Sequence, residues 1–342
     1  MAKRTGNTSF ALNSARSAKN DEFYTQLQDI ENELCRYASQ LKGKAVFCNC
    51  DDPAESNFFL YFVLNFKKFE LKRIITTHYV STGQSYKIEV GNANMAKKIA
   101  ETIQQGYDFN SEVNRVALKA LDVLTPLQEN GDFRSPECIE LLKRSDAVIT
   151  NPPFSLWREY VAQLIEYRKL FLIIGNVNAI TYKEIFPLIK ENKMWLGESI
   201  SSGDRKFGVP DDYPLNATGC GIDKNGYRFI RVKGVRWFTN VSTKTSKRHE
   251  ELRLYKTYNA TAYPKYDNYD AIEVSKVAEI PVDYNGVMGV PITFLDKYNP
   301  QQFELIGSNR GVDQDPNGVY GRGSFLDGKE TFKRLFICRK QT

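Results

Sequence analysis

The sequence predicts an α/β protein built on a doubly wound, mostly parallel sheet, followed by a loop-rich region. Three observations carry this. Apolar strand-like runs alternate with amphipathic helical segments from about residue 44 to 200. Past 200 the chain turns rich in Gly, Asp and Pro, and past 242 aromatic and β-branched residues mix with basic and turn residues. The 342 residues, 42% of them hydrophobic, suffice for two domains or for one large domain with an appendage.

Residues 1–19 form a basic, unanchored arm carrying Lys3, Arg4, Arg16 and Lys19 with no acid. A helix is expected over 20–41, where apolar positions follow a 3.6-residue period behind Asn20 and Asp21. KAVFCNC (44–50) reads as a buried strand, SNFFLYFVLNF (56–66) as a helix packed on a sheet, and ELKRIITTHYV (70–80) as a second strand. Between 81 and 130 the pattern is weakest: KIEV and ALDVL suit strands, with a helix around MAKKIAETIQQ. It sharpens again in a helix over 135–144, strand DAVIT, helix WREYVAQLIEYR, strand KLFLIIGN, a helix YKEIFPLIKENK kinked at Pro187, and strand MWLGES. Residues 201–229 read as loop and turn, and VRWFTNV (235–241) as a strand closing the sheet edge. These elements set the expected domains: 20–241 on the sheet and 242–342 as a separate region.

Composition narrows the function. No apolar run approaches the length of a membrane span, and the basic, polar N-terminus is not followed by a signal-like apolar segment. Six scattered cysteines without a CxxC pair suit a reducing cytoplasm. Two histidines, His78 and His249, leave little material for a metal site, and none is expected. Cys48 and Cys50 share one strand face but have no His or Cys partners nearby, so small buried cysteines are the better reading. The net charge of +6 is compatible with nucleic acid, with a second basic cluster in STKTSKRHEELRLYK (242–256).

A doubly wound sheet binds its ligand at the carboxyl ends of its strands, which singles out three strand ends. FCNCDDPAESNFF lacks a glycine-rich phosphate loop. Its Asp51 and Asp52 either face a polar ligand or, for Asp52, cap the following helix. GDFRSPE places Asp132 and Phe133 before a helix, where an acid can take a purine amino group while the ring stacks; a turn or helix cap would use the same residues. TNPPF is the most specific. Pro153 and Pro152 remove two backbone N–H groups, leaving carbonyl acceptors beside the Asn151 side-chain oxygen, with Phe154 as a flat neighbour. Such a set suits a planar ring bearing an exocyclic NH2. Two acceptors draw the amino hydrogens, weaken conjugation of the nitrogen lone pair, and free it to attack a methyl group. A given four-residue string arises by chance in only about one in several hundred chains of this length.

TNPPF resembles the catalytic motif of S-adenosylmethionine-dependent amino-methyltransferases, and NDEFYTQ resembles the N-terminal cofactor motif of the γ-ordered DNA adenine methyltransferases. DEFYTQ, CNCDDP with SNFF, GDFRS, TNPPFSL, ITYKE, IKENK, YPKYDNYDAI and DYNGVMGVPITFL, in this order from about 20 to 310, together look like the EcoRI-type DNA adenine methyltransferase. Glutamine and RNA methyltransferases share the short motif but not this tail. The resemblance implies a Rossmann-like methyltransferase sheet over 20–241, a target-recognition region over 242–342, and transfer of methyl to N6 of a flipped adenine in double-stranded DNA, as part of a restriction-modification system. It implies catalytic roles for Asn151, Pro152, Pro153 and Phe154. It also places Phe23, Tyr24 and Thr25 at the methionine end of the cofactor, Asp51 and Asp52 facing it, and Asp132 with Phe133 at its adenine. A monomer working beside a cognate endonuclease, away from membranes, completes the expectation.

Two departures stand out against the broad methyltransferase pattern. The glycine-containing loop after the first strand, roughly DPACGSG, is DDPAESNF here, leaving open which of Asp51 and Asp52 meets the cofactor. The acid that should follow the second strand is absent from IITTHYV, leaving the ribose without a partner. Base reading would fall after 242, where Lys244, Lys247, Arg248, Arg253 and Lys256 are candidates, each better explained by a solvated surface; Tyr263, Tyr266 and Tyr269 suit a core better than a contact. Rival readings are methylation of cytosine amino groups, RNA or protein glutamine by the same geometry, or a nucleic-acid-binding protein on this fold without catalysis.

Overall fold

The computed structural model describes residues 23–50, 52–105, 111–201, 203–209, 213–216, 218–243, 246, 248, 250–309 and 323–340. Along the chain come β1 (Tyr24–Thr25), α1 (Leu27–Leu34, extended by short helical turns to Leu41), β2 (Ala45–Cys48), α2 (Asn57–Asn65), β3 (Arg73–Thr77) and β4 (Tyr86–Val90). Then follow α3 (Ala93–Gln105), α4 (Ser111–Ala120), β5 (Thr125–Pro126), α5 (Pro136–Arg144), β6 (Ala147–Thr150), α6 (Trp157–Glu166), β7 (Leu170–Asn176), α7 (Phe186–Lys190) and β8 (Trp195–Leu196). The rest is β9 (Asp204–Gly208), β10 (Cys220–Ile222), β11 (Arg228–Lys233), β12 (Val235–Thr239), β13 (Ile272–Glu273), β14 (Met288–Pro291), β15 (Phe303–Ser308), β16 (Phe325–Leu326), β17 (Lys329–Glu330) and β18 (Arg334–Arg339). Two compact units emerge, Met1–Asn176 with Ser202–Thr243, and Val177–Ser201 with Lys244–Thr342.

In the first unit the strands run in the order β5–β4–β3–β2–β6–β7–β12. The central pairs β3/β2, β2/β6 and β6/β7 are parallel. Every residue of β2 and β6 is buried, as expected of strands covered on both faces. The flanking pairs β3/β4, β4/β5 and β7/β12 are antiparallel. The doubly wound α/β class holds, with a mixed sheet whose parallel strands form its centre. For β3/β4 the connection explains the difference: parallel return needs a crossover of a dozen or more residues, and the link from Thr77 to Tyr86 does not offer one.

Local chemistry sets several boundaries. Ser56 and Ser135 cap α2 and α5, their hydroxyls accepting from the Phe59 and Cys138 amides at 3.2 Å each. The helix expected over 20–41 begins only at Leu27, because Tyr24–Thr25 is a strand paired antiparallel to Phe207–Gly208. ALDVL is the end of α4 and a turn at a left-handed Asp122 (φ 54°), not a strand. Pro187 opens α7 instead of kinking a longer helix, since it lacks the N–H that a helix interior requires. Residues 201–229, expected as loop, contain β9 and β10 and the start of β11, which with β1 make a second sheet ordered β1–β9–β11–β10. Turn residues there obscure strands of only a few residues.

The second unit includes Val177–Ser201, which the strand–helix alternation would place with the first; Lys190 of α7 donates to the Ile306 carbonyl of β15 at 3.0 Å. Its sheet runs β13–β14–β18–β15. Tyr266 and Phe336 pack here with Tyr269, whose ring stacks on Phe336 at 4.2 Å. Beside them Arg334 forks onto Glu273, with Nη2 2.6 Å and Nε 3.0 Å from its carboxylate oxygens, and the Tyr266 hydroxyl donates to the same group. Both charged side chains are largely buried, at 12% and 5% exposure. Among the described residues no helix is long and apolar enough to cross a membrane.

Removing one member of a buried pair strands the other charge. Arg334→Met is expected to cost about 3–5 kcal/mol by urea denaturation, and the double variant Glu273→Met/Arg334→Met much less than that single change.

Candidate active site

The residues singled out by sequence gather in the first unit at the carboxyl ends of β2, β3 and β6, where a parallel sheet presents its ligand. Asn151 follows β6 and is buried. Its Nδ2 donates to the Phe23 carbonyl at 2.6 Å, while its Oδ1 is buried and has no partner among the described residues. The amide is therefore fixed with its acceptor uncommitted. Leu156 N–H takes the Pro153 carbonyl at 3.1 Å, turning the chain into α6. Phe154 is half-buried, and its ring lies 5.7 Å from that of Phe23 at 55°.

Phe23, just before β1, is the hinge of this arrangement. Its ring also meets Phe207 at 6.0 Å and Tyr213 at 6.2 Å, tying the small sheet to the NPPF turn. Thr25 is buried, its hydroxyl unpartnered among the described residues, and its carbonyl accepts from Asn57 Nδ2 at 2.8 Å. Tyr24 is half-buried beside them.

Asp51 lies outside the described residues. Asp52 does not cap α2, a role taken by Ser56. Its Oδ1 accepts from the Ala54 amide at 2.9 Å and the Tyr86 hydroxyl at 2.5 Å; its Oδ2 accepts from Arg115 Nη2 at 2.7 Å and lies 3.3 Å from His78 Nε2. His78, Tyr86 and Arg115 carried no signal in the sequence, because each reaches Asp52 only through the fold. Burial pushes the Tyr86 hydroxyl far up, and the Asp52 charge adds to it. Burial also holds the His78 imidazole below its ordinary value; Asp52 opposes this and Arg115 adds to it.

Asp132 and Phe133 sit in the loop before α5. Gly131 has φ +79°, and a Cβ there would lie 2.2 Å from the His78 carbonyl, so the loop fits against the end of β3 only as glycine. Arg134 closes on Asp132 with Nη2 at 2.6 Å and Nε at 2.9 Å, holding that carboxyl below its ordinary value. Phe133 is buried, edge-on to Tyr160 at 5.0 Å, and the Tyr160 hydroxyl donates to Asn49 Oδ1 past β2. Asn49 and Tyr160 thus connect the first strand end to the Asp132 loop, a link absent from the sequence reading. The structure joins Phe23 with Asn151 and Phe154, and Asp52 with His78, and links Phe133 to the end of β2.

In the second unit Tyr263 and Tyr266 are buried, and Arg248 lies 4.1 Å over the Trp195 ring while donating to Asn192 Oδ1 at 2.6 Å. Lys244 and Lys247 lie outside the described residues. Among the described residues no cluster of three His, Cys, Asp or Glu side chains could hold a metal.

The family described as "Adenine-specific methyltransferase EcoRI" matches residues 11–335. The chain belongs to it. It is 48% identical over 98% of both chains to the Type II methyltransferase M.EcoRI of Escherichia coli. It is 40% identical to the Type II methyltransferase M.MpnI of Mycoplasma pneumoniae, over 96% of this chain and 98% of that one. No solved structure matches. The protein is a site-specific, adenine-specific DNA methyltransferase, and the EcoRI-type resemblance read from DEFYTQ through the tail holds across the chain. TNPPF, with its asparagine acceptor, belongs to this family's chain rather than to a glutamine or RNA methyltransferase.

The His78 shift makes a pH prediction. In the unfolded chain the imidazole binds a proton below about pH 6.5; in the folded chain it resists until lower pH. The unfolded state then holds more protons, so stability is full above about 6.5 and falls as pH drops through the window beneath it. Urea midpoints measured across that window should decline less steeply for His78→Asn than for the unsubstituted protein.

Proposed function

We propose that the chain transfers a methyl group from S-adenosylmethionine to the N6 amino group of an adenine turned out of double-stranded DNA. The observation that carries this reading is the committed Nδ2 and uncommitted, buried Oδ1 of Asn151. One acceptor is oriented for an amino hydrogen. The Pro152 carbonyl, bonded to the nitrogen of Pro153, is the second. With both hydrogens held, the adenine nitrogen lone pair turns from the ring toward its target. Phe154 stacks on the base and offsets part of the few kcal/mol that extrusion from the duplex costs.

The cofactor supplies, when bound, an electrophilic methyl on a sulfonium. The residues present fit it. The buried Thr25 hydroxyl lacks a partner and suits the polar methionine end, with Phe23 and Tyr24 as walls. Asp52 is saturated by its four donors, so we assign the acidic contact after β2 to Asp51. Asp132 and Phe133 hold the cofactor adenine, with Arg134 keeping Asp132 ionised as an acceptor. Residues 20–241 form the catalytic region and 242–342 the target-recognition region. The basic arm of residues 1–19 and the cluster at 242–256 supply phosphate contacts. The enzyme works as a cytoplasmic monomer beside a cognate endonuclease.

Labelled methyl from S-adenosylmethionine should enter duplex DNA and appear, after digestion to nucleosides, in N6-methyl-2′-deoxyadenosine. Loss of one preorganised polar contact of this kind costs about 10²–10³ in rate, and Asn151→Ala should fall by at least that much. Label in methylcytosine, or none in any DNA, would sink the reading.

A further inference from the structure

We infer that α4 clamps the turn after β2 and that its Asn114 and Arg115 are positioning residues for methyl transfer. The inference rests on the function proposed above and concerns how the cofactor side of that site keeps its shape.

The turn runs from Asp52 to Ser56. The Glu55 and Ser56 amides donate to the Asp52 carbonyl at 2.9 Å and 2.7 Å, and Ser56 then caps α2. This turn contains no glycine. A glycine-rich loop fits a ligand by bringing bare backbone close to it; DDPAES cannot, and Pro53 has no N–H to offer. Beyond these internal bonds, the turn is held from outside.

Two consecutive residues of α4 do this. Asn114, buried, donates from Nδ2 to the Ala54 carbonyl at 2.8 Å. Arg115 places Nη2 2.7 Å from Asp52 Oδ2. Adjacent helix residues diverge by about 100°, so the pair reaches two separate points of one turn, one backbone and one side chain. The grip spans 63 positions of sequence between Arg115 and Asp52. From the sheet, His78 and Tyr86 close on the same carboxylate. Asp52 is thus held from α4, from beyond β3 and from β4 at once.

Arg115 keeps 39% of its side chain exposed, so truncating it opens no core cavity. What it removes is a charge-assisted bond to the turn. Reacting geometries tolerate displacements of well under about 1 Å, and a loosened turn acts first on cofactor binding. Arg115→Ala is expected to raise the KM for S-adenosylmethionine about tenfold, the worth of one such bond. Its kcat should stay within about twofold at saturating cofactor, its KM for DNA should be unchanged, and Arg115→Lys should recover part of the loss. Asn114→Ala should raise the same KM, and the double variant should fall short of the product of the two effects because both act on one turn.

The measurement is steady-state methyl transfer at varied cofactor and at varied DNA, with circular dichroism on every variant. A wild-type cofactor KM in Arg115→Ala, or a loss in kcat and both KM values that simply follows the folded fraction, overturns the clamp. If Arg115→Ala does not fold, Arg115→Lys and Asn114→Ala carry the test, and wild-type cofactor KM in both overturns it. An unsubstituted enzyme that neither binds S-adenosylmethionine nor methylates DNA would instead overturn the proposed function.

Discussion

The hydrogen bond from Asn151 Nδ2 to the Phe23 carbonyl is the constraint on which the rest of the site depends. An amide side chain can present either its oxygen or its nitrogen outward, and only one orientation serves an amino substrate. Rotating it would set two oxygens against each other in a buried position, where an unmatched polar pair is costly. The bond spans 128 positions of sequence. It makes the orientation of the Asn151 acceptor depend on where the chain before β1 lies, and therefore on the β1–β9 pairing and on the Phe23, Phe207 and Tyr213 rings. The small sheet accordingly helps to orient that acceptor, although none of its strands belongs to the parallel core.

That dependence divides the first unit into a dry centre and a polar rim. The buried runs of β2 and β6 hold no charge. The polar groups collect where these strands end: Asn49 with Tyr160, Asp52 with its donors, Asn151 with Phe23. Several of them come from elements far apart in sequence, and their side chains substitute for what short glycine loops do elsewhere. Backbone flexibility is exchanged for cross-linking by Asn, Asp, Arg and Tyr. Such networks specify one geometry when fully satisfied, and Asp52, with a donor set on each oxygen, is satisfied.

This division also explains what could be read in the sequence. Central strands announce themselves as continuous apolar runs, so AVFC, RIITT, AVIT and LFLIIGN were legible, as was the acceptor-rich NPPF turn that follows one of them. β4 was legible too, but not its antiparallel direction, which follows from the short link before it. α4, SEVNRVALKA, carries few large apolar residues, and its task is to hold a turn through Asn114 and Arg115. Such a role leaves no periodic trace. β9 and β10 hid among turn residues because short strands of a small sheet need little hydrophobic patterning when neighbours supply the pairing. Asp52 illustrates the limit best: the sequence showed an acid at a strand end, but its partners at 78, 86 and 115 are set by tertiary contact alone.

The two departures from the broad methyltransferase pattern lie on either side of that carboxylate. One is the missing glycine after β2, the other the missing acid after β3. Asp52, which opens the glycine-free turn, places its Oδ2 3.3 Å from His78 Nε2, just after β3, and 2.7 Å from Arg115 Nη2. An acid at 78 would put a second negative charge against Asp52 in a site only about one-tenth exposed, where one of the pair would have to take up a proton. A neutral imidazole that can donate from Nε2 meets the same carboxylate without that conflict, and burial keeps it neutral. Once the turn is held by a charged anchor instead of shaped by glycine, the residue after β3 is no longer free to be acidic. The charged anchor of the turn and the histidine after β3 thus meet on one carboxylate.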